Sequence, residues 1–199
     1  MKIKLSILLL FLVFQSCNIQ NKPDKDSGLH ISVSKEINEF KDYFENGNLK
    51  IIGQFTDNKK TGKWTYYYDN GKIWKVENYV NGVFEGEWKA YHTNGQLYFG
   101  GNHLNNNKEG IWKHYLKDGT LKYLRIYNAK GAHGEWKSYY DSGELYVIEN
   151  FVNGKEDGKW TTYYKNGKIN QTGIMKDGKK IGDWKIYNDK GKLLRIIAH

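Results

Sequence analysis

Cysteine, proline and long apolar runs are nearly missing from this chain, and each shortage excludes something. The one cysteine, Cys17, rules out an intrachain disulfide framework and any metal site built from a cysteine cluster. The one proline, Pro23, stands against 22 glycines and an aromatic content of 16%. That balance suits many short strands and tight turns better than helices. The longest apolar run, Leu5 to Phe14 broken only by Ser6, is too short to cross a bilayer as a stable helix. No second segment is apolar enough to span.

What the chain does have is a cadence of 24 residues. Phe40, Trp64, Trp88, Trp112, Trp136, Trp160 and Trp184 are evenly spaced. The third residue after each is tyrosine (Tyr67, Tyr91, Tyr139 and their equivalents), the seventh is glycine, and the ninth is aliphatic. Glycine also stands two residues before every tryptophan of the series, from Gly62 to Gly182. A fixed period of this length marks a stacked array whose units share one core. The first unit is worn, with Phe40 for tryptophan and Asn38 for glycine.

The turn residues set the fold class. Asn46-Gly47, Asn70-Gly71, Asn94-Gly95, Asp118-Gly119 and Asn166-Gly167 are hairpin signals between strand-like runs, with Ser142-Gly143 and Lys190-Gly191 in the same place. Asn81-Gly82, Asn153-Gly154 and Asp177-Gly178 join one hairpin to the next, with Asn105-Asn106 and Ala129-Lys130 as weaker versions. The expectation is an all-β, elongated, single-layer antiparallel meander of seven 24-residue hairpins, about fourteen strands, with two-residue type I′ tips. With such a tip the tryptophan faces the thirteenth residue after it, and the third faces the tenth. Tyr67 would then pair with Trp74, Tyr91 with Tyr98 and Tyr139 with Tyr146, on the face opposite the tryptophans and residues such as Leu97, unless a bulge intervenes.

The pattern Gly-x-Trp-x-x-Tyr-x-x-x-Gly-x-Leu followed by Asn-Gly-x-x-x-Gly-x-Trp resembles MORN repeats, in their bacterial variant form, from about Phe40 to His199. The resemblance implies a single-layered sheet of stacked hairpins that serves as an interaction scaffold, in some proteins with phospholipid contact. Bacterial relatives of the YwqK type carry an antitoxin label, which sits poorly with an exported lipoprotein.

Export is the reading of the N-terminus. Lys2 and Lys4, the apolar run and Ser16-Cys17 resemble a bacterial lipoprotein signal. Phe14, Gln15 and Ser16 depart from the usual box. The resemblance implies lipidation of Cys17 and, with Asn18 rather than aspartate following it, an outer-membrane lipoprotein. Residues 1–17 are therefore the expected signal, 18–28 a polar tether, and 29–199 the repeat domain, with Leu29 to Val33 as an extra cap strand.

The candidate binding face is the aromatic column Tyr67, Trp74, Tyr91, Tyr98, Tyr139 and Tyr146; exposed flat rings stack on sugars, extended peptides or partner side chains, although mutual cross-strand coverage is the simpler account of them. Beside it runs a basic column, Lys41, Lys89, Lys113, Lys137 and Lys185, with Thr65 and Thr161 as exceptions. The net charge of +9 drops by two when Lys2 and Lys4 leave with the signal. Export argues against a nucleic-acid partner, and the lysines are interspersed with Glu87, Glu135 and Asp183.

No catalytic set, metal site or cofactor motif is legible. The six histidines fall on different repeat offsets, and Glu77 and Glu149 are three units apart, about 29 Å along a sheet, where paired carboxylates need about 10 Å. The reading is a lipid-anchored, non-enzymatic envelope scaffold that binds a protein, glycan or lipid headgroup. An antitoxin or immunity protein and a dedicated glycan binder are the alternatives.

Overall fold

Two kinds of turn build this fold, and they divide the turn chemistry differently from expectation. The computed structural model describes residues 37–199, so the signal, the tether and the cap strand lie outside the described residues. At the hairpin tip the Tyr68 N–H donates to the Lys72 carbonyl at 2.8 Å and the Gly71 N–H donates to the Tyr68 carbonyl at 3.0 Å. Gly71 has φ of 80°, while Asn70 keeps a negative φ. The tip is thus a three-residue loop, a type I turn closed by glycine in the left-handed region, and not the two-residue type I′ turn. The same bond pair recurs at all seven tips. Only the glycine needs positive φ there, which is why Ser142 and Lys190 are tolerated before it.

The type I′ geometry belongs instead to the turns between units. Asn81 and Gly82 both have positive φ (51° and 84°), as do Asn153 and Gly154 (52° and 84°) and Asp177 and Gly178 (49° and 79°). Asn105 and Asn106 do the same without glycine, at 50° and 66°. At Ala129-Lys130 the positive φ falls on Gly131.

Every strand pairs antiparallel with its sequence neighbour, from Ile37–Tyr43 with Leu49–Thr56 to Lys179–Tyr187 with Leu193–Ala198, in one open meander. Among the described residues there are seventeen strands rather than fourteen. Three inter-unit ladders are interrupted, leaving two-residue strands at Val83–Phe84, Gly131–Ala132 and Lys155–Glu156 ahead of the strands that carry Trp88, Trp136 and Trp160. The strands carrying Trp64, Trp112 and Trp184 run unbroken for 9 residues.

This alternation follows the residue thirteen after each tryptophan. The register sets Phe40 opposite Gly53, Trp88 opposite Gly101 and Trp160 opposite Gly173, and the next ring along lies flat over the same glycine. A Cβ on Gly53, Gly101 or Gly173 would fall 2.2, 2.4 or 2.3 Å from Cδ2 of Trp64, Trp112 or Trp184. Over these glycines the rings of consecutive units meet: Phe40 and Trp64 at 5.5 Å, Trp88 and Trp112 at 6.0 Å, Trp160 and Trp184 at 5.3 Å between centroids. A lysine four residues earlier covers each inner ring: Lys60 lies 4.3 Å from Trp64, Lys108 4.6 Å from Trp112 and Lys180 4.3 Å from Trp184. Trp64, Trp112 and Trp184 are consequently the most buried large side chains, at 1, 1 and 0% exposure. Each such burial contributes roughly 4–6 kcal/mol of transfer free energy.

At three of the other four positions a charge stands where the glycine would be, and the last, Trp184, faces Ile197. Glu77 faces Trp64, Arg125 faces Trp112 and Glu149 faces Trp136. The core is therefore a row of aromatic dyads separated by charged spacers, all on one face of a single sheet.

Two glycine substitutions separate the two roles of glycine. Gly101→Ala places a methyl inside the Trp112 ring and is expected to destabilise by about 1–3 kcal/mol through overpacking. A Cβ on Gly119 would meet no atom closer than 3.6 Å, but Gly119→Val must hold φ near 91° and is expected to cost more than about 1 kcal/mol. Urea midpoints measure both; an unchanged midpoint for Gly101→Ala would remove the ring-over-glycine account of the core.

Candidate functional site

The bulge beside each tip decides which rings share a face. Tyr67 pairs with Ile73, Tyr91 with Leu97 and Tyr139 with Leu145, and the register slips there in every unit. The expected partnerships of Tyr67 with Trp74, Tyr91 with Tyr98 and Tyr139 with Tyr146 are therefore corrected: residue ten is the extra residue of the bulge and stands opposite none of them. Leu97-type residues likewise share the tyrosine face and not the tryptophan face. Trp74 turns to the tryptophan face, where it meets Tyr66 at 6.2 Å and Tyr68 at 6.3 Å. Tyr98 meets His92 and His114, each at 4.7 Å, and Tyr146 meets Tyr140 at 4.8 Å.

Of the six expected rings, Trp74, Tyr98 and Tyr146 are the exposed ones, at 45, 43 and 41%. Tyr67, Tyr91 and Tyr139 are half-buried, and alternation places them on the opposite face. The structure brings Trp74 and Tyr98 into one groove and leaves Tyr146 outside it, two units further on. The groove is made of adjoining hollows that share walls. One of about 580 Å³ lies between Phe44, Tyr66, Tyr68 and Trp74, and one of about 400 Å³ between Tyr68, Trp74, Trp88 and Tyr98. A third, about 230 Å³, continues past Tyr98 and Phe99 to Trp112, His114 and Arg125.

The fourth residue after each tryptophan, which the sequence did not single out, fixes the groove wall. The Tyr68 hydroxyl donates to the Tyr91 carbonyl of the next unit at 2.7 Å, Tyr140 to Tyr163 and Tyr164 to Tyr187 at 2.8 Å, and His92 Nε2 lies 2.9 Å from the Tyr115 carbonyl. Asn94 Nδ2 and Asn166 Nδ2 reach tip carbonyls of the following unit in the same way. These bonds clamp tip to tip at a separation of 23 residues. A side-chain pattern of Tyr/His at that offset was the available signal.

Beneath the groove sits one buried carboxylate. Glu77 is 3% exposed; its Oε1 accepts from Lys75 Nζ at 2.6 Å and from Trp88 Nε1 at 3.4 Å, and its Oε2 accepts from the Tyr79 hydroxyl at 3.0 Å. Burial opposes its ionisation, but the hydrogen bonds from Lys75, Tyr66 and Tyr79 and the charge of Lys75 outweigh that and hold the carboxyl below its usual range. Burial first, then the Glu77 charge and its hydrogen bonds, push the Tyr66 and Tyr79 hydroxyls upward. Burial likewise lowers Lys60 and Lys108, and lowers His103 and His114 below the usual imidazole range. Glu149, the equivalent spacer three units on, is raised by burial and by Glu156. The two glutamates have opposite surroundings and form no pair.

Three of the five lysines of the basic column on the other face are paired within their own strands: Lys41 with Glu39 at 2.8 Å, Lys89 with Glu87 at 2.5 Å, Lys137 with Glu135 at 3.0 Å. Thr65 and Thr161, the exceptions, are buried, Thr161 sharing a hydroxyl contact of 3.0 Å with Thr172. Among the described residues no group of three or more His, Cys, Asp or Glu could hold a metal ion.

A sheet of tip-clamped hairpins with a ring-lined groove defines a repeat protein of the MORN class. The model of the MORN repeat variant family matches residues 38–57, 60–81, 84–103, 108–129, 132–153 and 156–177, together more than half of the chain, and the chain belongs to that family. The seventh hairpin lies beyond those matches yet has the same tip, with Gly191 at φ of 86°. No curated protein matches the chain. Such repeats point to a binding scaffold.

Glu77→Gln is expected to destabilise by about 1–3 kcal/mol at neutral pH, since the Lys75 ammonium loses its buried counter-charge. A carboxyl held low in the folded state contributes stability that is present above its unfolded value, near 4.5, and is lost as pH falls through the folded value. Urea midpoints of wild type and Glu77→Gln should therefore converge below pH 4.5; a gap that stays constant to low pH would show that the charge contributes nothing.

Proposed function

We propose that this protein is a non-enzymatic binding scaffold of the cell envelope, anchored in an outer membrane through acyl chains on Cys17, which presents its tryptophan face to a protein, glycan or lipid-headgroup partner. The observation that carries the binding half is the groove through Trp74 and Tyr98, where large rings stay exposed although a sheet with no second layer has every reason to cover them. The hollows fall in the size range of ligand sites and are mainly aromatic. The anchoring half rests on the residues around Cys17. Each buried methylene of an acyl chain contributes roughly 0.8 kcal/mol, so a multiply acylated cysteine holds the repeat domain at a membrane without any apolar surface of its own. Ion pairing of Lys41, Lys89 and Lys137 supports a partner other than nucleic acid, because it neutralises three of the five lysines of the basic column.

Metabolic labelling with a fatty-acid probe tests the anchor: wild type should label and partition into membranes, and Cys17→Ser should do neither. Continued labelling of Cys17→Ser would overturn it. For the binding half, cross-linking in intact cells followed by detergent extraction should yield a partner adduct that the Trp74→Ala, Tyr98→Ala double variant loses by at least about tenfold; an adduct indifferent to both rings would move the binding surface elsewhere.

A further inference from the structure

We infer that the groove from Phe44 through Trp74 to Tyr98 takes a neutral, extended polysaccharide lying across the strands, with Trp74 and Tyr98 each stacked on a sugar face. This rests on the binding-scaffold reading and specifies its ligand.

Three observations narrow the chemistry. The first is charge. The lysines that line the first two hollows are already paired, Lys50 with Asp42 at 3.0 Å and Lys75 with Glu77 at 2.6 Å, and Asp69 adds a carboxylate to the rim. An anionic polymer or an anionic headgroup gains little there, whereas an uncharged one loses nothing. The second is backbone. The strands that floor the groove, Leu49–Thr56, Lys59–Tyr67, Ile73–Val80, Gly86–Tyr91 and Leu97–Leu104, are each hydrogen-bonded to neighbours on both sides. An extended peptide laid across them would find no free ladder and would press its own N–H and C=O groups onto aromatic rings unpaired. A pyranose lays its C–H face on a ring and keeps its hydroxyls at the perimeter, in water.

The third is periodicity. Trp74 and Tyr98 occupy the same position in consecutive units, two strands or about 9.6 Å apart. That spacing is close to the disaccharide repeat of an extended β-linked glycan, so successive rings meet the same face of alternate sugars. The tip clamps between these two units, the Tyr68 hydroxyl to the Tyr91 carbonyl at 2.7 Å and Lys72 Nζ to the Asn94 carbonyl at 3.0 Å, hold that spacing rigid. One unit further on, the equivalent position is Lys122, paired with Asp141 at 2.6 Å, which ends the run of exposed rings.

Affinity electrophoresis in native gels tests this, with the mature protein run through dissolved hydroxyethyl cellulose, xylan, galactomannan, laminarin or glycol chitin, and through polygalacturonate as the acidic control. At least one neutral polymer should retard the wild type. Trp74→Ala and Tyr98→Ala should each weaken that retardation at least tenfold, Trp74→Phe should keep most of it, and Tyr146→Ala, outside the groove, should leave it unchanged. Thermal melts by circular dichroism establish that each variant is folded. The inference is overturned if no neutral polymer retards the protein, if retardation survives loss of both rings, or if only polygalacturonate or phosphatidylglycerol vesicles bind. A protein adduct that depends on Trp74 and Tyr98, with no polysaccharide retardation, removes the glycan and leaves the scaffold standing. Loss of both removes both.

Discussion

A single sheet has no second layer to cover its rings, and the contact that answers this constraint is a tryptophan lying flat on the Cα of a glycine in the preceding unit. Gly53, Gly101 and Gly173 let two rings close over one backbone position, and Lys60, Lys108 and Lys180 cover the inner ring from the solvent side. Ring faces, glycine backbone and lysine stems together replace the missing sheet. The unbroken nine-residue strands occur where this contact forms, and the interrupted ladders where Glu77, Arg125 or Glu149 takes the place of glycine.

The charged spacers have a second consequence. They part the aromatic dyads, and the tryptophans that follow a charged spacer, Trp88, Trp136 and Trp160, are only half-buried, whereas Trp64, Trp112 and Trp184, which follow a glycine, are buried. At Glu77 the charge is held by Lys75, Tyr79 and Trp88, which fixes the floor of the groove between Tyr68 and Tyr98. Near Arg125 the guanidinium lies over Tyr123 and Trp136 instead, at 4.8 and 4.9 Å, and lines the last and smallest of the three hollows. Binding capacity is in this way concentrated in the first half of the array although the repeat runs through all of it.

Tip-to-tip clamps tie this site to the fold. The hydroxyls of Tyr68, Tyr140 and Tyr164 are spent on carbonyls of the next unit, so these residues offer ring faces rather than donors. The bulge at residue ten then adds one more ring, Trp74 or Tyr98, to the same face. Recognition through flat faces with few free donors follows from that geometry.

The 24-residue spacing alone determined that the chain folds as stacked hairpins, that each tryptophan faces the thirteenth residue after it, and where the turns fall. These are local or strictly periodic properties, and periodicity survives in sequence. Which turn type sits at which end, which face Trp74 and Tyr98 take, and why Gly101 differs from Glu77 were decided by the tertiary structure. A one-residue bulge beside the tip exchanges the faces of the ninth and tenth residues while the eleventh to thirteenth keep theirs, so it leaves the spacing unchanged, and the ring-over-glycine contact joins residues of different units that no single repeat contains.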